Sequence, residues 1–176
     1  MLLRRIFGDN LFAIQYPDED KDEFERLFDL WNNMEFLEEF FSENEKDLNS
    51  KFWGGISVEE AAMDTKHQAE DFEDKLEIIS KQKNTNKCLN AFFKQLDDYQ
   101  SGILILDKRK AKHSWLRIYA LRIDTNAYLI TGGAIKLTKR MEDREHTRKE
   151  LNKIDQCKQF LIEQGITDKD GLLEII

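Results

Sequence analysis

Lys112, His113, Arg117, Arg122 and Lys136 fall in one Lys/Arg-rich stretch and together hold the groups that metal-free phosphodiester chemistry requires. Cleaving RNA through its own 2′-hydroxyl needs a base for that proton, positive charge against the developing pentavalent phosphate, and an acid for the leaving oxygen. Arginine suits planar, bidentate stabilisation of phosphate, and lysine serves as a base only where burial or neighbouring cations lower its pKa. His113 is the side chain in this stretch that titrates near neutrality, so it is the candidate acid or base. The plainer reading of His113 is an exposed histidine in a basic loop.

These residues need a scaffold, and the sequence supplies one in WLRIYALRIDTNAYLITGGAIKLTKR, residues 115–140. Two extended, aromatic and β-branched runs flank the polar turn Asp124-Thr125-Asn126, a strand–turn–strand signal. A small sheet with one buried face would carry Arg117, Arg122, Lys136, Lys139 and Arg140 on its open face, towards an anionic partner. The preceding run, with Lys108, Arg109, Lys110 and Lys112, reads equally as a solvated loop or a phosphate-contacting one. Gly132-Gly133 lacks the helix that should follow a nucleotide loop and reads as a bulge or kink in the sheet.

The rest of the chain reads as packing around that hairpin. LLRRIF and LFAIQY flank Gly8-Asp9-Asn10 and predict a first hairpin over 2–16. An apolar stripe from Phe24 to Phe41 predicts one helix over about 20–42, with residues 43–56 as a loop. Ser57 and Glu60 form a capping box that opens a helix to about 82. A shorter helix is expected over Lys87–Leu96, GILIL suggests a strand, and Arg144 to about Gly165 predicts a last long helix. The tail TDKDGLLEII is a final turn or an added strand whose apolar end can meet a partner.

Charge is distributed unevenly. Residues 1–80 carry 8 Lys/Arg against 22 Asp/Glu, whereas residues 81–160 carry 18 against 9. The total of −8 therefore conceals a basic region that a nucleic acid would meet as a surface. The bland alternative is two sets of solvated helix faces that attract each other within the fold. No run has the apolar length of a membrane span, and MLLRRIFGDN is too soon charged for a secretory signal. Cys88 and Cys157 lack C-x-x-C spacing and read as reduced thiols of a cytoplasmic protein. There is no P-loop, Gly-x-Gly-x-x-Gly, Gly-x-Ser-x-Gly or metal-ligand spacing, so no cofactor and no metal are expected.

The segment KRKAKHSWLRIYALRIDTNAYLITGGAIKLTKRMEDREHTRKELNKIDQCKQF resembles the C-terminal half of the RelE/HigB-like toxin superfamily, closest to its phage-derived HigB-like branch. Members commonly show a Trp-Arg-Ile-Tyr-like strand, a second apolar strand, a Phe-x-Lys-Lys-Thr-like segment and a Lys/Arg/Glu-rich helix; here the likeness covers roughly residues 90–160. It implies an α+β fold, a small twisted, mainly antiparallel sheet packed by helices. The chain would be a single domain over 1–176, with an acidic helical elaboration over 18–85. It implies a cytoplasmic type II toxin that cleaves mRNA on the ribosome and is held by a cognate antitoxin. Arg117 matches the strand arginine and would contact phosphate; Tyr119 matches the aromatic and would stack on a base or face the core; Lys136 matches the first lysine. The sequence has Gly132 where a histidine is often found, Ala134 at the aromatic and Leu137 at the second lysine. With His113, Arg117 and Lys136 as catalytic candidates, the groups left to contact RNA are Lys108, Arg109, Lys110, Lys112, Tyr119, Arg122, Lys139 and Arg140. Those departures also suit a non-catalytic protein-interaction module that keeps the toxin-like fold.

Overall fold

Gly8, at φ +58°, makes the turn that folds β1 (Leu2–Phe7) antiparallel onto β2 (Leu11–Gln15), as the Gly-Asp-Asn triplet predicts. The computed structural model describes residues 1–81, 89–95, 105–108, 115–125 and 127–176. Beyond the first hairpin come α1 (Glu23–Asn32), α2 (Met34–Glu43), α3 (Glu45–Leu48), α4 (Val58–Lys81) and α5 (Leu89–Phe92). Next are β3 (Phe93–Gln95), β4 (Ile105–Lys108), β5 (Leu116–Asp124), β6 (Ala127–Ile135), α6 (Glu145–Glu163) and α7 (Lys169–Leu173).

The single helix expected over 20–42 is two. Asn33 is extended, at φ −86° and ψ 105°, and its side chain accepts from the Phe36 amide, capping α2 where α1 ends. A local cap at one Asn thus overrides an apolar stripe that runs on unbroken. The capping box at the start of α4 forms as expected: the Glu60 amide donates to the Ser57 hydroxyl at 3.2 Å and the Ser57 amide to the Glu60 carboxylate at 3.1 Å. The helix expected over 87–96 is helical at Leu89–Phe92 and turns extended at Phe93; Lys87, Cys88 and Leu96 lie outside the described residues. The last long helix ends before Gly165, whose φ of +68° suits a left-handed residue just past a helix, and the tail adds the short α7.

The strands form one mixed sheet in the order β1-β2-β6-β5-β4-β3, antiparallel except where β2 runs parallel to β6. The fold is therefore α+β, with a mainly antiparallel sheet. Alternation along the strands divides the core in two. Leu116, Ile118 and Ala120 on β5, with Tyr128 and Ile130 on β6, pack under α1, α2 and α4. Tyr119, Leu121 and Ile123, with Leu129, pack under Ile154, Cys157 and Leu161 of α6. The sheet has no open face at the hairpin: β6 is buried along its whole length. This corrects the expectation of one solvated face, and the near-continuous apolar and small-residue run AYLITGGAI is its physical signature.

The helices within 18–85 carry many acidic residues and supply much of this core. Phe28 and Trp31 of α1 meet Phe72 of α4 ring against ring, with Trp31 and Phe72 stacked at 6.1 Å between centroids, and Phe24 packs on Phe28. Trp115 donates its indole N–H to the Thr65 hydroxyl at 2.7 Å, fixing the start of β5 to the middle of α4.

Candidate functional site

A cleft of about 480 Å³ opens where the hairpin β5–β6 meets the loop between α3 and α4. Arg117 lies opposite Ala134 in the β5–β6 register, so Lys136, two residues further on, falls on the same face of the hairpin. Both line the cleft, joined by Lys139 and Thr138 from the segment after β6. Asp47, Ser50, Phe52 and Trp53 form the facing wall.

Two ties hold the walls together. The Trp53 indole N–H donates to the Leu137 carbonyl at 2.8 Å, and its ring meets Trp115 edge to face at 5.1 Å. Arg144 forks onto both oxygens of Asp47, one bond at 2.9 Å, and this partner raises the Arg144 pKa further. Asp47 thus has its charge matched within the cleft wall. Arg117 is only 2% exposed, and its guanidinium donates to the Leu116 carbonyl at 2.6 Å. Its guanidinium is thereby held in place by the fold.

The other sequence candidates separate from this cleft. Tyr119 is 0% exposed in the core beneath α6, so its ring has no face for a base; this corrects the stacking role. Arg122 sits near the far end of β5, opposite Tyr128, and its Nε donates to the Asp124 carbonyl at 3.3 Å. Arg140 is exposed beyond the cleft, 3.7 Å from Glu142. Lys108 ends β4. His113, Arg109, Lys110 and Lys112 lie outside the described residues. Phe52 and Trp53 went unnoticed because nothing in ENEKDLNSKFWGGI announces that its loop meets residues some eighty positions away. Two adjacent aromatics before Gly54-Gly55, both at positive φ, were the available signal.

Gly132 carries the second cluster. The pairing slips between Tyr119–Gly132 and Ala120–Ile130, so Thr131 is a bulge, in line with the expected kink. A Cβ on Gly132 would lie 1.9 Å from Glu150 Oε2 and 3.3 Å from Glu23 Oε2, so the glycine is there to let two carboxylates approach the strand. Lys153 bridges them at 3.1 Å to Glu23 and 3.2 Å to Glu150, while Arg26 forks onto Glu23 with two bonds of 2.7 Å. Glu150 is 6% exposed, its Oε2 has no hydrogen-bond partner, and burial pushes its pKa to about 7 against the pull of Lys153. Tyr16 completes the group: its hydroxyl donates to the Thr131 carbonyl at 2.7 Å and sits 3.1 Å from Cys157 Sγ. Burial pushes the Cys157 thiol up to about 12, which keeps it an inert core thiol.

Among the described residues no group of His, Cys, Asp and Glu is arranged to hold a metal ion, and no helix is long and apolar enough to cross a membrane. No family model, curated protein or solved structure matches the chain.

Proposed function

We propose that the chain is a RelE/HigB-like toxin with a RelE-like fold, a cytoplasmic mRNA endoribonuclease that works on the ribosome and is held in check by an antitoxin protein. The observation that carries this reading is the meeting of Arg117 and Lys136. The resemblance assigns them to separate strands, and both line one cleft with Lys139. A sheet packed by helices, mainly antiparallel, agrees with it.

The chemistry follows from the groups. Arg117 would contact the scissile phosphate and stabilise the extra charge as the 2′-oxygen attacks. Lys136 and Lys139 would hold the flanking phosphates and neutralise the backbone. His113 remains the proposed acid or base, exchanging protons with the 2′-hydroxyl or with the departing 5′-oxygen.

A second reading, a non-catalytic module of the same fold, is favoured by what stands at Gly132. Where the family often has histidine, the Glu150 carboxylate fills the space a side chain would need. The two readings part under inducible expression in bacteria with mapping of transcript ends, beside a pull-down of the product of the adjacent gene. Ribosome-dependent cuts, suppressed by that product and lost on combining Lys136→Ala with Arg117→Lys, support the toxin. Lysine at 117 keeps the charge and much of the buried volume while removing the planar fork. Stable partner binding with no cuts and no growth defect overturns the nuclease in favour of the module.

A further inference from the structure

We infer that the hollow between α1, α2 and the end of β6 binds a small planar amino-heterocycle, its ring against Phe36 and Phe40 and its N–H edge against Glu150 and the strand. The hollow shares no lining residue with the cleft at Arg117, and it stands whether or not that cleft takes RNA. It exists because the sheet opens there. β2 pairs with β6 only from Leu11–Tyr128 to Ala13–Ile130, and the bulge at Thr131 follows. Among the described residues, no strand then flanks 132–135 on the side away from β5. Side chains take the place of that strand. The Tyr16 hydroxyl donates to the Thr131 carbonyl at 2.7 Å, and His146 Nε2 to the Ile135 carbonyl at 2.9 Å. Carbonyls along an extended strand alternate, so that of Gly133, two residues before Ile135, faces the same way. Gly133 itself lines the hollow.

The hollow holds about 250 Å³. That is just below the roughly 300–1,000 Å³ of sites for drug-sized ligands, and it suits one fused two-ring molecule. Leu27 and Trp31, both buried, close its floor with Gly133, while the half-buried Leu30, Phe36 and Phe40 form its rim. Phe36 and Phe40 lie 6.1 Å apart between centroids, and His146 meets Phe40 edge to face at 5.1 Å. Such a wall takes a flat, apolar ring face. Glu150, one helical turn beyond His146 on α6, sets the polar end. Arg26 also lines the hollow, but its fork is taken up by Glu23, and Lys153 is shared between Glu23 and Glu150 Oε1. What the cluster leaves over is an acceptor. Glu150 is 6% exposed, and its Oε2 has no hydrogen-bond partner. A buried acceptor left unpaired carries a cost that a ligand donor removes. The missing chemistry is therefore N–H donors on the edge of a flat ring, which neither an anion nor an aliphatic chain supplies.

Calorimetric titration of the full chain compares 2-aminobenzimidazole with 2-methylbenzimidazole, which has the same shape and a methyl in place of the amino group. The titration is run at pH 8, above the value of about 7 to which burial lifts Glu150. The expected result is saturable binding of the amino probe, about tenfold or more tighter than the methyl probe, with amide shifts at Gly133 and Ile135 in spectra of the labelled protein. Glu150→Gln keeps the shape and a carbonyl acceptor but not the charge; it should weaken the amino probe by roughly ten- to hundred-fold and leave the methyl probe unchanged. Guanosine carries a ring N–H and an amino group on a nucleoside. Its binding assigns the site to a nucleobase and its exclusion to a free heterocycle, and either result upholds the site. Equal affinity for the two benzimidazoles, or an amino probe indifferent to Glu150→Gln, overturns the inference. Shifts confined to residues away from the hollow overturn it as well. No binding of the amino probe removes the site and leaves the RNA reading of the cleft untouched.

Discussion

Replacing Glu150 by Gln should change how stability depends on pH, and the direction is fixed by the burial of its carboxylate. In the native protein burial raises this group from 4.5 to about 7, with Lys153 opposing and Glu23 reinforcing the shift. A native pKa above the unfolded one means the folded chain binds the proton more tightly, so between these values stability falls as pH rises. The contribution is fully present below about 4.5 and is lost as pH climbs through about 7. The shift corresponds to about 3 kcal/mol between the two limits. Glutamine keeps the shape and does not titrate. Guanidinium titrations from pH 5 to 8.5 should therefore show Glu150→Gln gaining about 2–3 kcal/mol relative to the parent, with most of the gain complete by pH 7. A difference that stays flat with pH would refute a buried, proton-retaining Glu150. A difference of opposite sign would mean the ion pair to Lys153 outweighs burial.

Gly132→Ala should destabilise the fold by about 1–3 kcal/mol, because the new methyl overlaps the Glu150 carboxylate and the move that relieves it breaks a bond to Lys153; a denaturation midpoint equal to that of the parent would contradict the close approach. Adding Glu150→Ala to Gly132→Ala should recover less than additive damage, measured by a double-mutant cycle. Trp53→Phe should cost about 1 kcal/mol through the unpaired Leu137 carbonyl and loosen the cleft loop, read as faster amide exchange over residues 49–57.

Local chemistry made much of this fold readable. The Gly8 turn, the Ser57–Glu60 box, the hairpin around Asp124-Thr125 and the stop at Gly165 each depend on residues within a few positions of one another. The parallel pairing of β2 with β6, Leu11 against Tyr128, has no such local mark, because it is fixed only when α1, α2 and α4 cross over the sheet. The break at Asn33 was hidden by an apolar stripe that continues through it. The buried second face was legible in principle, since Thr131-Gly132-Gly133-Ala134 offers neither charge nor bulk to a solvent-exposed surface. At the site, Arg117 and Lys136 could be read from the strands that carry them. Glu23, Glu150 and Lys153 looked like members of solvated helix faces, and only tertiary packing turns them into one buried cluster.

The salt dependence of single-stranded RNA binding tests the central claim most directly. Each phosphate contact adds roughly 0.7 to the slope of log affinity against log salt for single strands. The cleft predicts measurable binding at low salt that weakens as salt rises, and a slope reduced by about 1.4 when Lys136→Ala and Lys139→Ala are combined. Binding with an unchanged slope in that double variant, or no binding at low salt by the folded protein, would contradict an RNA site in the cleft.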